Sequence, residues 1–82
     1  MDEVIQQEKA VDISFFIPCL NEERNIINTL NNISAAMEEV SYLYEIIIID
    51  DNSTDLTVKI VENYIGQHPD VRVILRRNKK TL

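Results

Sequence analysis

The chain has 82 residues, 45% of them hydrophobic and 27% charged, with a formal net charge of −6, which suits one small globular unit and excludes a disordered or fibrous protein. A single cysteine excludes an internal disulfide, and one cysteine with one histidine cannot build a structural zinc site. No apolar run reaches the roughly 18 residues that span a bilayer, and the acidic start Met1-Asp2-Glu3 lacks the basic opening of a signal peptide, so the segment reads as cytoplasmic.

Residues 1–10 are polar and read as a flexible lead-in, leaving 11–82 as the folded part. Ile13-Ser14-Phe15-Phe16-Ile17 is β-branched and aromatic and predicts a strand closed by Pro18, with Cys19 a small, semi-buried side chain at its end. Asn21 predicts an N-cap, with Glu22 and Glu23 placing negative charge on the first helical turn. Ile26, Leu30, Ile33, Met37 and Val40 recur at helical spacing, with Ile27 and Ala36 widening the stripe.

After a turn near Ser41, Ile46 to Ile49 form an unbroken apolar run without period-2 alternation. Such a run predicts a strand of a parallel sheet covered on both faces. Ser53 or Thr54 can cap a second helix, with Val58, Val61 and Ile65 facing inward and Ile60 and Tyr64 beside them. That helix ends near Gly66, Pro69 prevents its resumption, and His68 falls in an exposed loop.

Val71 to Leu75 read as a third strand, completing β-α-β-α-β in the order 3-2-1. The first strand is left as an unpaired edge, from which both an incomplete domain and self-association through that edge are expected. Residues 1–71 carry a net −11, whereas Arg72, Arg76, Arg77, Lys79 and Lys80 give the last eleven residues +5. An acidic chain is a poor general nucleic-acid binder, so no nucleic-acid partner is expected and the basic end reads as a local, solvated loop.

In this topology the strand ends at Ile17-Pro18 and Ile49-Asp50-Asp51 lie side by side, bringing Asn21, Glu22, Asp50 and Asp51 to one rim. Carboxylate acceptors and helix N-termini together suit a ligand with N–H, O–H and phosphate groups, such as a nucleotide. With one glycine in the chain, a dinucleotide-binding GxGxxG turn and a Walker loop are both absent. Adjacent carboxylates on a strand diverge, which disfavours a metal held by Asp50 and Asp51 together. The plainer reading of both motifs is helix capping.

Ile17-Pro18-Cys19-Leu20-Asn21-Glu22-Glu23, followed by Tyr44-Glu45 and the run Ile46 to Asp55, resembles the opening of the family 2 glycosyltransferases. These are inverting GT-A enzymes that include polyprenyl-phosphate mannosyl- and glucosyltransferases, and the resemblance runs from about Ile13 to Leu82. It implies a three-layer α/β/α, Rossmann-like fold, of which this β-α-β-α-β unit is the N-terminal, nucleotide-binding half. It also implies a nucleotide-diphospho-sugar donor, UDP- or GDP-linked, and an acceptor such as a polyprenyl phosphate or saccharide.

By the same resemblance Pro18, Leu20 and Glu22 line the nucleoside pocket, Ile49 and Asp51 contact the base, and Ser53 belongs to the same donor site. Leu20 replaces a common aromatic and leaves apolar contact in place of stacking. Asn52 and Leu56 replace common glycines, the first tolerating left-handed backbone and the second extending the helix. The family's Asp-x-Asp, with its magnesium or manganese, and its catalytic base lie beyond Leu82. No residue here is therefore assigned as catalytic or metal-binding, the unit alone is expected to be inactive, and membrane association is expected only through further sequence. The alternative is a non-catalytic nucleotide-binding or regulatory module using the same rim.

Overall fold

The computed structural model describes residues 10–78. Residues 1–9 of the expected lead-in, and Lys79 and Lys80 of the basic end, lie outside the described residues. The elements are β1 (Ile13–Cys19), α1 (Ile26–Met37), β2 (Tyr44–Asp50), α2 (Thr57–Gln67) and β3 (Val73–Arg77). The three strands are parallel with β2 in the middle, the expected order.

Register divides the sheet into two unlike faces. Phe15, Ile17 and Cys19 align with Ile46, Ile48 and Asp50, and these with Val73, Leu75 and Arg77. On this face Ile46 and Ile48 are wholly buried, in one core with Ile26 and Leu30 of α1 and Val61 and Tyr64 of α2. Two right-handed crossovers that step in the same direction across a sheet put both helices on one side. On the opposite face Ile47 and Ile49 are half-buried and Phe16 is 62% exposed. The described residues therefore supply one helical layer and the sheet, and the expected cover over both faces of the isoleucine run is present on one face only. At the other end of that open face, Ser14 and Arg72 both bond to Glu45, tying the three strands together.

β1 runs two residues past its expected end and includes Pro18. The Cys19 carbonyl accepts from the Asp51 N–H, so strand alternation turns the missing donor of Pro18 toward the open edge, where it costs no ladder bond. Within α1 the buried line is Ile26, Leu30 and Met37; Ile27 and Ala36 are exposed and Val40 lies exposed beyond the helix end, so the stripe is narrower and shorter than expected. In α2 the inner line is Thr57, Val61 and Tyr64, shifted from the expected Val58, Val61 and Ile65. His68 is half-buried rather than exposed, because its ring stacks on Tyr64 at 4.0 Å and its Nδ1 lies 3.0 Å from the Tyr64 carbonyl.

Candidate functional site

The carboxyl ends of β1 and β2 open into two loops that lock together. Asn21 is not the cap of its own helix. It sits in left-handed backbone (φ 55°), and its Oδ1 accepts from the N–H groups of Thr54 at 2.8 Å and Asp55 at 3.2 Å. That long-range engagement delays α1, whose first turn is prepared by Asn25 and Ile26 N–H groups bonding to the Glu22 carbonyl. Asn52 also takes left-handed backbone (φ 63°), which asparagine tolerates better than most residues.

Donors run in the other direction as well. The N–H of Asn21 donates to Ser53 Oγ at 2.9 Å, that of Glu22 to Thr57 Oγ1 at 2.8 Å and that of Glu23 to Asp55 Oδ2 at 3.2 Å. Glu23 returns a bond by accepting the Leu56 N–H at 2.9 Å. Neither Ser53 nor Thr54 caps α2. The helix starts at Thr57 with Leu56 in the cap position, and Asp55 accepts the Thr57 N–H at 2.9 Å. Leu56 thus precedes the helix rather than extending it.

The adjacent carboxylates part company here. Asp50 continues the Ile46–Ile48 face and is fully buried, accepting from the Ser53 N–H at 3.0 Å, the Ser53 hydroxyl and Arg77 Nε at 3.2 Å. Burial alone would raise its pKa, but the Ser53 and Arg77 bonds outweigh burial and hold the carboxyl below its ordinary range. Asp51 is exposed. Asp50 is therefore a structural anion, but not the expected helix cap: its donors are Ser53 and Arg77, and α2 begins only at Thr57.

A cavity of about 390 Å³ opens at this rim, lined by Pro18, Cys19, Leu20, Glu22, Ile49, Asp51 and Asn78. Five residues singled out from the sequence, Pro18, Leu20, Glu22, Ile49 and Asp51, come together around it. Ser53 does not line it: it is buried beneath, between Asp50 and the Asn21 N–H. Cys19 and Asn78 are additions, the first flanked in sequence by two lining residues and the second brought in by the pairing of Arg77 with Asp50 at the end of β3. Burial, then the Glu22 and Asp50 carboxylates, push the Cys19 thiol up, the wrong direction for a nucleophile.

Pro18, Leu20 and Ile49 give the cavity an apolar floor, and Glu22 and Asp51 give it acceptors. Leu20 is 55% exposed, leaving apolar surface for a ligand to cover. The volume falls within the range of about 300–1,000 Å³ usual for small-molecule sites. Of the basic end, Arg77 is engaged by Asp50 and Arg72 by Glu45, while Arg76 is exposed beside Ile49. Among the described residues no three His, Cys, Asp or Glu side chains come together to hold a metal, and no helix is long and apolar enough to cross a membrane.

A parallel α/β unit with a polar-rimmed cavity at its strand carboxyl ends is the architecture of the open α/β domains, which as a class bind ligands at that edge. Residues 14–82 match the family described as Glycosyl transferase family 2, and the chain belongs to it. It is 35% identical over 68 residues to the undecaprenyl-phosphate 4-deoxy-4-formamido-L-arabinose transferase of Pseudomonas fluorescens, covering 80% of this chain and 20% of that protein. It is 30% identical over 59 residues to the dodecaprenyl-phosphate galacturonate synthase of Rhizobium johnstonii, covering 72% of this chain and 18% of that protein. The dolichyl-phosphate beta-glucosyltransferase of Dictyostelium discoideum is 31% identical over 85 residues, covering 94% of this chain and 26% of that protein. The chain thus spans about a fifth of the length of the first two.

Proposed function

We propose that this chain is the donor-binding part of a glycosyltransferase that moves a sugar, with inversion, from a UDP- or GDP-linked donor to a polyprenyl phosphate or saccharide. The observation that carries this reading is the cavity in which Glu22 and Asp51 flank the floor of Pro18, Leu20 and Ile49. An apolar floor accepts the face of a base, and the two carboxylates accept from base N–H and ribose O–H groups. The names of the three relatives above, each of which refers to a polyprenyl or dolichyl phosphate, support the polyprenyl-phosphate acceptor class. Such acceptors are membrane-borne, so this reading places the work at a membrane surface.

Among the described residues no three His, Cys, Asp or Glu side chains gather to hold a metal, so the magnesium or manganese of this reading takes its ligands elsewhere in the protein. The residues here bind and orient; deprotonation of the acceptor falls to other groups. Calorimetric titration of the intact protein with UDP and GDP tests the reading. One of the two is expected to bind, and Asp51→Ala to weaken it about 10- to 100-fold, the value of a lost hydrogen bond to a charged acceptor. Binding by a folded Asp51→Ala protein at wild-type strength would contradict the pocket.

A further inference from the structure

Asn78, the residue after β3, joins the cavity wall, and its contacts go to Asp50, the last residue of β2, and to Asp51, the next. Its N–H donates to the Asp50 carbonyl at 2.9 Å, extending the β2–β3 ladder and fixing its backbone. Its Nδ2 donates to Asp51 Oδ1 at 3.3 Å, the one hydrogen bond made to that carboxylate among the described residues. The geometry points to Asn78 as the positioning residue that sets Asp51 for base recognition, an inference that rests on the nucleotide reading above.

An exposed aspartate samples several χ1 wells, and only some of them direct its carboxylate into the cavity. A tether from a side chain whose own backbone is held in the ladder selects among those wells before the ligand arrives. It also commits one carboxylate oxygen and leaves the other for a base N–H. The rotamer cost of binding is then met within the free protein, which is how preorganisation raises affinity. Asn78 acts through Asp51 in this arrangement, so its contribution depends on Asp51 being present.

The test is a double-mutant cycle in the intact protein, read as the Kd of whichever of UDP and GDP binds the wild type more tightly. Asn78→Ala is expected to weaken binding about 3- to 10-fold, the equivalent of ordering one side chain. Asn78→Asp, which keeps the size but sets a second acceptor against Asp51, is expected to weaken it at least as much. Asp51→Ala should be worse than either, and the double variant Asp51→Ala with Asn78→Ala no worse than Asp51→Ala alone. Wild-type affinity in both Asn78 variants, or a further 3- to 10-fold loss in the double variant, would overturn the inference while leaving the pocket intact. Failure of the wild-type protein to bind either nucleotide would overturn the nucleotide reading and this inference together.

Discussion

Ser53 donates both its hydroxyl and its backbone N–H to the carboxylate of Asp50, and with the same hydroxyl oxygen accepts the N–H of Asn21. The end of β2 is thereby joined to the loop that follows β1 through one buried serine. Asp50 is wholly inaccessible, so each donor it loses leaves charge less compensated than before. Ser53→Ala removes the hydroxyl donor and the acceptor for Asn21 at once, and is expected to cost about 1–3 kcal/mol. Urea unfolding measures it. Because Ser53 lies outside the cavity lining, the folded variant should bind nucleotide within about twofold of wild type, a smaller effect than the loss of a charged contact in the cavity.

The Asp50 carboxyl also gives stability a pH dependence with a definite sign. Its pKa in the folded chain lies below the ordinary value, because the Ser53 and Arg77 bonds prevail over burial. The unfolded chain therefore binds a proton more readily, and the stabilisation is present above the unfolded pKa and lost as pH falls through the folded one. Asp55 shifts in the same direction, as the Thr57 and Glu23 bonds prevail over desolvation, and adds to the same acid limb. Urea midpoints recorded from pH 7 down to pH 2 should fall steadily below the ordinary carboxylate range. In Asp50→Asn, which starts less stable, the same series should be flatter.

Asn21 combines a left-handed backbone with two long-range hydrogen bonds, and two substitutions separate those contributions. Asn21→Ala loses the acceptor for Thr54 and Asp55 and also places a Cβ residue at φ 55° that asparagine tolerates better. Asn21→Gly loses the bonds but accepts the backbone freely. The alanine variant is expected to be destabilised by about 2–3 kcal/mol and the glycine variant by about 1 kcal/mol, measured by denaturant unfolding. The reverse order would show that backbone strain at this position is negligible.

These loops also mark where the sequence stops being readable. The three strands, two helices and strand order follow from Ile13–Ile17, the isoleucine run and the helical spacings, all of them local patterns. The start of α1 does not, because Asn21 is captured by Thr54 and Asp55, more than thirty residues away, and no local propensity reports that bond. The division between Asp50 and Asp51 was half legible. Strand alternation separates them, but with isoleucine at all four preceding positions neither face announces itself as the core. Register and helix placement settle it, turning Asp50 inward with Ile46 and Ile48. Asn78 was hidden for another reason: it is an ordinary polar residue in a basic stretch, and only the β2–β3 pairing carries it to the cavity.

Thr57 is where packing and site geometry meet. It is fully buried at the start of α2, its Oγ1 accepts the Glu22 N–H at 2.8 Å, and it donates to Asp55 Oδ1. Glu22 lines the cavity, so this hydroxyl fixes one wall through the backbone. Thr57→Val keeps the shape and removes the hydroxyl, leaving the Glu22 N–H without its acceptor at a cost of about 1–3 kcal/mol. Thr57→Ser keeps the hydroxyl and removes a buried methyl, at a cost of about 1 kcal/mol. Unfolding measurements alone would scarcely distinguish the two. Nucleotide titration should, because only the valine variant releases the Glu22 backbone: its Kd is expected to rise several-fold, about the equivalent of 1 kcal/mol, while the serine variant stays within about twofold of wild type. Equal affinities in the two variants would show that the Thr57 hydroxyl serves stability and leaves the cavity wall unaffected.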